Sequence, residues 1–407
     1  MSEQFIPLEA DPEAYQAMHR ILDEPAADAM LSRRELEVRG HAREIVAHKV
    51  APASAKADAI HEFAAGSVQA LAEANLMGLV FPKDLGGTGD SNVAYAAAME
   101  EITAGCAATS LIFMTQMHAA YPILLAGSKE LAEKHIPPLL NGSNWGSLAI
   151  TEPDAGSDVA SLRTTATKVE GGYRISGSKT FITTGDRCDT IICFASVDRT
   201  KGRQGITAFV VDGNAQGVTR GQPFHKMGMH ASSTAEVFFD SVFVPDDHLL
   251  GEPGGGWSVV MSSVVKSRIS AAAQGVGLAR AAYARTLHAL KHRYGTRIPD
   301  ELTFALATLR GRILQGRLLL LAVARQVDED PKIAPGQIGI MKQSCTDLGW
   351  EVSVECTRIL GAFGDFKELG VERCLRDSKV TQIYDGTNEV QRLLIGRETN
   401  RAMEAMS

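Results

Sequence analysis

The spacing of apolar residues changes twice along this chain, from helical to alternating near residue 149 and back to helical near residue 253. Over residues 31–148, Leu36, Arg39, Arg43, Val46 and Val50 open a stripe that Phe63, Val68, Leu71, Leu76 and Leu79 continue at three- and four-residue steps. That spacing places side chains on one face of an α-helix. Phe81-Pro82 and Gly86-Gly87-Thr88-Gly89 break the pattern, an Ala- and Met-rich helical stretch runs from Val93 to Ala126, and Pro137-Pro138 and Asn141-Gly142 close the region. Residues 149–252 instead carry short β-branched and aromatic runs: Tyr173 to Ser176, Thr190 to Phe194, Ile206 to Val211 and Val242 to Val244. Turn pairs such as Gly171-Gly172 and Asp212-Gly213 separate them, as in a small β domain. After Gly254-Gly255-Gly256 the stripe returns in Trp257, Val260, Met261, Val264, Ile269 and Val276, then in Leu302, Leu306, Leu309 and Ile313, then in Ile338, Met341, Cys345, Leu348 and Val352. Helices, then strands, then helices, with no regular βαβ alternation, argue against a Rossmann fold. The expectation is a mainly α, α+β chain with an N-terminal extension (1–30), a helical domain (31–148), a central β domain (149–252) and a C-terminal helical bundle (253–407).

With 45% apolar side chains the chain can bury a sizeable core, and its net charge of −7 offers no basic footprint for nucleic acid. Six scattered cysteines without a CxxC pair predict reduced, mostly buried thiols. Residues 1–30 are acidic rather than signal-like, and no apolar run reaches the roughly 18 residues of a membrane span. The expected location is the cytoplasm.

Three motifs resolve into ordinary structure. Gly172 to Thr180 has one residue too many before Lys179 for a phosphate loop and lacks the strand-loop-helix setting. Gly275-x-Gly277 lies within a helical stripe, where close helix packing explains it. His288 and His292 share a helix face without an HExxH pattern, which predicts a solvated face and no metal site.

Two segments carry chemistry. The first is Leu148-Ala149-Ile150-Thr151-Glu152-Pro153-Asp154-Ala155-Gly156-Ser157-Asp158, followed by Phe181-Ile182-Thr183-Thr184-Gly185. A Gly-Ser turn exposes N–H groups and a hydroxyl suited to an anion, and strand-borne threonines can hydrogen-bond a flat heterocycle. An ordinary turn with buried threonines would look the same in isolation. The second runs from Leu375 to Arg392. There a helical pattern stops at Tyr384, Gly386 permits a sharp turn, and Thr387 can cap a new helix. Asp385 is thereby displayed at a junction between helices.

Both segments, in this order and spacing, resemble the FAD-dependent acyl-CoA dehydrogenase family, over about residues 31–403. The resemblance implies an N-terminal helical domain, a central β domain and a C-terminal four-helix bundle, usually assembled as a homotetramer. It implies Asp385 as the base, where most members place a glutamate. Leu148, Ile150, Thr151, Gly156, Ser157, Phe181 and Thr183 would hold FAD, with Thr183 near the hydride-accepting nitrogen and Phe181 along the isoalloxazine. Ser157 would touch a cofactor or pantetheine phosphate, Arg268 with Asp385 and Gly386 would hold the acyl thioester, and Thr387 and Glu389 would approach the cofactor. Lys291, Arg358 and Gly361 match positions that meet the neighbouring subunit's FAD.

The reaction so implied removes the α proton of an acyl-CoA, or an acyl carrier protein thioester, and passes the β hydride to FAD. An electron-transfer flavoprotein then takes the electrons. The thioester carbonyl would accept hydrogen bonds from an FAD ribityl hydroxyl and from the Asp385 N–H, which stabilise the developing enolate.

The chain departs from the family pattern in several places. Aspartate is one methylene shorter than glutamate, which withdraws the carboxylate by roughly 1.5 Å. Asp385 in this respect resembles the branches acting on cyclic carboxyl-CoA thioesters and the nitroalkane oxidases. Ser267 stands where a second branch carries its glutamate, Lys291 replaces an arginine, Arg358 a glutamine and Ala362 a glycine. The Ala107-Ala108 stretch lacks the arginine of glutaryl-CoA dehydrogenases. Three readings are open at this level: a dehydrogenase of an acyl thioester, branched or cyclic in its acyl group; a flavin oxidase or monooxygenase on the same fold; and a silent subunit pairing with an active homologue.

Overall fold

A computed structural model describes residues 5–330, 333 and 335–406. The N-terminal region contains α1 (Pro12–Arg20), α2 (Pro25–Asp28), α3 (Arg33–Ile45), α4 (Ala51–Ile60), α5 (Ala65–Glu73), α6 (Asn92–Gly105), α7 (Ala107–Ala126) and α8 (Lys129–Leu140). The stripe of α3 begins at a capping box, in which Ser32 and Glu35 satisfy each other's backbone donors. It buries Arg39 and Arg43 beside Val38 and Ala42. The arginines are tolerated there because Arg39 meets Asp28, and Arg43 meets Asp23 and Glu101. Helix α7 is buried on every side along most of its length, so its polar residues face protein rather than water.

Residues before α2 join this packing. Tyr15 and Leu8 are buried, and the Glu9 carboxylate accepts hydrogen bonds from Arg285 (2.8 Å) and Arg373 (2.6 Å) of the C-terminal helices.

The β region is one eight-stranded sheet: β1 (Gly146–Ala149), β2 (Thr165–Val169), β3 (Gly172–Thr183), β4 (Thr190–Ser196), β5 (Ile206–Asp212), β6 (Val218–Arg220), β7 (Thr234–Pro245) and β8 (Leu249–Leu250), with strand order 6-7-3-2-4-5-8 and β1 parallel to β4. Ile175, Ile191, Cys193, Phe209, Val211, Val237 and Val242 form its separate core. Residues 172–180 lie within the long strand β3, which has no place for a phosphate loop.

The chain then enters α9 (Gly256–Tyr294), α10 (Asp300–Glu329), α11 (Pro335–Leu360), α12 (Val371–Thr381) and α13 (Asn388–Glu404). Helix α11 packs against α9, α10 and α13, which completes the expected helix-sheet-helix order with a C-terminal bundle. A Cβ on Gly275 would lie 2.1 Å from the Cys345 carbonyl oxygen, and one on Gly277 2.7 Å from that of Glu100. Close helix packing is therefore the reason for both glycines. The expected solvated face of His288 and His292 is only half right. Both rings stack edge-on to Phe5, and His288 Nε2 lies 3.0 Å from the Ile6 carbonyl, because the N-terminal segment crosses this face. All six cysteines are buried and unpaired. Among the described residues no helix is long and apolar enough to cross a membrane.

Candidate active site

The six residues between α12 and α13 form the turn that carries Asp385. The helical pattern predicts a stop at Tyr384, but α12 ends at Thr381. It closes early because the Val380 carbonyl takes both the Ile383 and Tyr384 N–H groups, while the Gln382 side chain is drawn to Asp347 on α11 (2.6 Å). Asp385 (φ 57°) and Gly386 (φ 87°) are both left-handed. Aspartate is among the few L-residues that accept this conformation, and Gly386 needs it for a second reason, since a Cβ there would sit 2.8 Å from Gln391 Nε2. Gln391 Nε2 donates to the Gly386 carbonyl (2.8 Å), and Thr387 caps α13 by accepting the Val390 N–H (3.3 Å). From α11, Lys342 donates to the Asn388 side chain (2.9 Å), whose amide donates to Asp347 (2.7 Å). From α9, buried Arg268 donates through Nε to the Asp385 carbonyl (3.4 Å). The structure thus brings Arg268, Asp385, Gly386 and Thr387 together; Glu389 follows on the exposed first turn of α13, 3.5 Å from Arg392.

Asp385 Oδ2 is buried and has no hydrogen-bond partner among the described residues. Burial pushes the carboxyl pKa up, against the opposing influence of His118, Lys342, the Ser267 hydroxyl and Arg268. Burial likewise brings Arg268 down to about 10 and Lys342 down to about 8. A carboxylate with raised proton affinity, inside and unpartnered, is suited to take a proton from carbon. Around it, Tyr384 donates to Gln274, Gln274 Nε2 donates to Ser110 (3.0 Å), and the Tyr95 and Ser270 hydroxyls meet at 2.9 Å. The sequence reading passed over Tyr95, His118, Gln274 and Lys342. Their only mark is a polar side chain within an otherwise apolar helical stripe.

In the β region the two halves of the first motif are joined through β3. Ser147 donates to the Thr183 carbonyl (2.9 Å), the Thr180 N–H to the Thr151 carbonyl (3.0 Å), and buried Lys179 to the Ile150 carbonyl (3.0 Å) and Glu152 (2.8 Å). Glu152 also accepts the Thr164 N–H (3.0 Å) and that of Arg163. Leu148, Ile150 and Thr151 therefore lie beside Phe181 and Thr183, with Gly156 and Ser157 exposed in the loop that follows. Phe181 is 67% exposed and left-handed (φ 58°), its ring 5.6 Å from that of Phe224, with Met227 also exposed. An uncovered aromatic patch edged by half-buried threonines fits a flat ring system such as the flavin of FAD.

Lys291, Arg358 and Gly361 stand apart. Lys291 follows Arg268 by 23 residues on α9, which places it roughly 35 Å away along the axis. Arg293 lies over the Phe363 ring at 5.3 Å, which brings the end of α9 to the turn containing Gly361 (φ 59°), while exposed Arg358 pairs with Glu355. Among the described residues no group of His, Cys, Asp or Glu could hold a metal ion.

Family models match most of the chain: the N-terminal domain of acyl-CoA dehydrogenases at residues 32–143, the middle domain at 147–242 and the C-terminal domain at 254–399. An acyl-CoA dehydrogenase of Bacillus subtilis (strain 168) is 36% identical over 90% of this chain and 98% of its own length. A subunit of the caffeyl-CoA reductase-Etf complex of Acetobacterium woodii is 34% identical over 82% of this chain and 89% of its own. The solved butyryl-CoA dehydrogenase of Megasphaera elsdenii superimposes with a TM-score of 0.87 at 33% identity, over 91% of this chain and 98% of that one.

Proposed function

This chain belongs to the acyl-CoA dehydrogenase family, and on that premise we propose that it oxidises an acyl thioester between its α and β carbons, with Asp385 as the base that takes the α proton. The observation that carries the reading is the Asp385 carboxylate, displayed by two left-handed residues with Oδ2 buried and unpartnered. Bound FAD supplies the hydride acceptor and the redox chemistry. Leu148, Ile150, Thr151, Gly156, Ser157, Phe181 and Thr183 would hold it, Phe181 by its exposed ring and Ser157 by its hydroxyl. Thr387 and Glu389 approach the same cofactor from the base turn. Arg268 fixes the turn through the Asp385 carbonyl and, with Gly386, positions the thioester; exclusion of water around the carboxylate keeps its proton affinity high.

The finer readings follow from what the site lacks. A base shortened by roughly 1.5 Å favours an α-branched or cyclic acyl group that brings its proton closer, on CoA or an acyl carrier protein. Lys291, Arg358 and Gly361 lie far from Arg268, which supports the reading that they serve a cofactor across a subunit boundary, as in a homotetramer. A relative within an Etf complex supports an electron-transfer flavoprotein as the acceptor.

An anaerobic titration tests the proposal. Acyl-CoA esters are added to the flavin-loaded protein while its visible absorbance is followed, and oxygen is then admitted. Bleaching that persists until an electron-transfer flavoprotein or dye is added is expected, and Asp385→Asn should abolish it with FAD still bound. Bleaching unaffected by Asp385→Asn would remove the base assignment. Rapid reoxidation by oxygen, with no response to any thioester, would overturn the reaction itself.

A further inference from the structure

The dehydrogenase reading leaves one buried polar group beside the base without a task. Three contacts fix how α7 runs against α9. Ser110 meets Gln274 (3.0 Å), Phe113 stacks at 5.4 Å on the Tyr95 ring whose hydroxyl meets Ser270, and the Tyr121 ring lies 5.3 Å below the Lys266 ammonium. The α7 numbers rise as the α9 numbers fall, so the helices are antiparallel. His118, between Phe113 and Tyr121, is level with Ser267 and Arg268. It also lies eight residues after Ser110 and three before Tyr121, on the helix face that both of those present to α9.

His118 is 7% exposed, and its Nε2 is buried with no hydrogen-bond partner among the described residues. The same is true of Asp385 Oδ2, and Arg268 ties the Asp385 turn to this level. The two groups sense each other's charge, yet neither bonds to the other. Burial holds the imidazole pKa down, which leaves a neutral ring able to donate or accept through Nε2 according to its tautomer. His19 is also unpartnered, but it lies against the Tyr15 ring (4.3 Å) amid the buried ion pairs, where burial and Arg280 hold its pKa down, and faces no base.

Resting on the dehydrogenase reading, we propose that His118 is a specificity residue of the acyl pocket. Its Nε2 hydrogen-bonds an oxygen carried by the acyl group, close to the carbon that Asp385 deprotonates. The preferred thioester is then an oxygen-bearing acyl chain or ring rather than a plain hydrocarbon. A hydrocarbon acyl group would cover a buried ring nitrogen and leave it unpaired, which corresponds to a discrimination of about 10- to 100-fold.

Matched pairs of nearly equal size test this on the FAD-loaded protein: 4-hydroxybutyryl-CoA against pentanoyl-CoA, and tetrahydrofuran-3-carbonyl-CoA against cyclopentanecarbonyl-CoA. The rate of flavin bleaching gives kcat/KM. Calorimetric binding to the non-reacting Asp385→Asn variant gives Kd without turnover. The oxygen-bearing member of at least one pair should be favoured about 10- to 100-fold in both measurements. His118→Leu should bring that ratio to within about twofold of unity, and His118→Gln, which keeps a hydrogen-bonding group, should restore part of it. A wild-type preference for the hydrocarbon member of both pairs overturns the inference, as does a preference that survives His118→Leu. If His118→Leu fails to fold, the wild-type ratios and the glutamine variant decide. Hydrocarbon thioesters that bleach the flavin with no advantage for oxygen sink this inference alone, whereas silence toward every thioester sinks the dehydrogenase reading with it.

Discussion

Replacing Lys179 by methionine would remove one charge from a pair that anchors the loop proposed to face the cofactor. Lys179 is fully buried, and Glu152 is 5% exposed. The ammonium bonds Glu152 at 2.8 Å and the Ile150 carbonyl at 3.0 Å. Burial alone would raise the Glu152 pKa, but Lys179 together with the hydrogen bonds from Thr164 and Arg163 outweighs it, so the carboxyl is held below its ordinary value. Stripping one partner from a buried pair costs about 3–5 kcal/mol. Because Glu152 retains the Arg163 and Thr164 N–H groups and can take up a proton, the lower end applies, about 3 kcal/mol. In the Lys179→Met/Glu152→Gln double variant no buried charge is left uncompensated and the two N–H groups keep an acceptor. Its cost should therefore fall at least about 1.5 kcal/mol short of the sum of the two single changes. Urea unfolding of the four proteins, followed by circular dichroism, gives the cycle, and equilibrium dialysis of FAD gives the functional effect. Flavin affinity should weaken in both single variants, since the loop bearing Thr151 and Ser157 is anchored by this pair. There is also a pH signature. A depressed carboxyl contributes stability above its unfolded pKa of about 4.3 that is lost as pH falls through the folded value, and this acid sensitivity should be weaker in Lys179→Met. Additivity of the single variants within about 0.5 kcal/mol, or unchanged FAD binding, would refute the reasoning.

Since burial raises the Asp385 pKa, and the base must be ionised, kcat/KM should climb with pH through a limb lying above the ordinary aspartate value of about 3.9; a limb at or below that value, from initial rates across pH, would contradict the assigned environment. Gly386→Ala forces a Cβ into left-handed backbone at about 1–2 kcal/mol and into Gln391 Nε2, so the base should shift by about 1 Å and kcat fall on the order of 10²-fold with flavin content unchanged. An unaltered kcat in stopped-flow bleaching would show that the turn does not need its glycine. Glu9→Gln leaves Arg285 and Arg373 buried without their carboxylate, and should cost about 3–5 kcal/mol in urea unfolding. A loss below about 1 kcal/mol would mean the pairs behave as surface pairs.

Much of the fold was legible because its periods are local. The runs at 173–176, 190–194, 206–211 and 242–244 lie in β3, β4, β5 and β7, and the stripes after residue 256 are α9, α10 and α11. Gly275-x-Gly277 could be read as a packing device from its place in a stripe. What could not be read was partnership across distance. Arg39 and Arg43 occupy core positions of α3 only because Asp28, Asp23 and Glu101 arrive from other segments. Asp385 was visible as a residue between two helices. The burial that raises its proton affinity was not, nor were the groups from α7, α9 and α11 that oppose the rise. Glu152 stood in a motif read for its threonine and serine, and its attachment to Lys179 depends on the fold of β3.

The reach of Glu9 to Arg373 also sets an order of events. Those residues are 364 positions apart, and a ribosome adding about 5–20 residues per second needs roughly 20–70 s to cover that interval. Throughout that time the Glu9 carboxylate lacks Arg373, although α1 can pack on α9 once that helix has been made, so the segment bearing Glu9 cannot complete its set of partners until α12 has been made. Closure of Glu9 over Arg285 and Arg373 is therefore a late, long-range step whose rate is set by chain topology rather than by local helix formation.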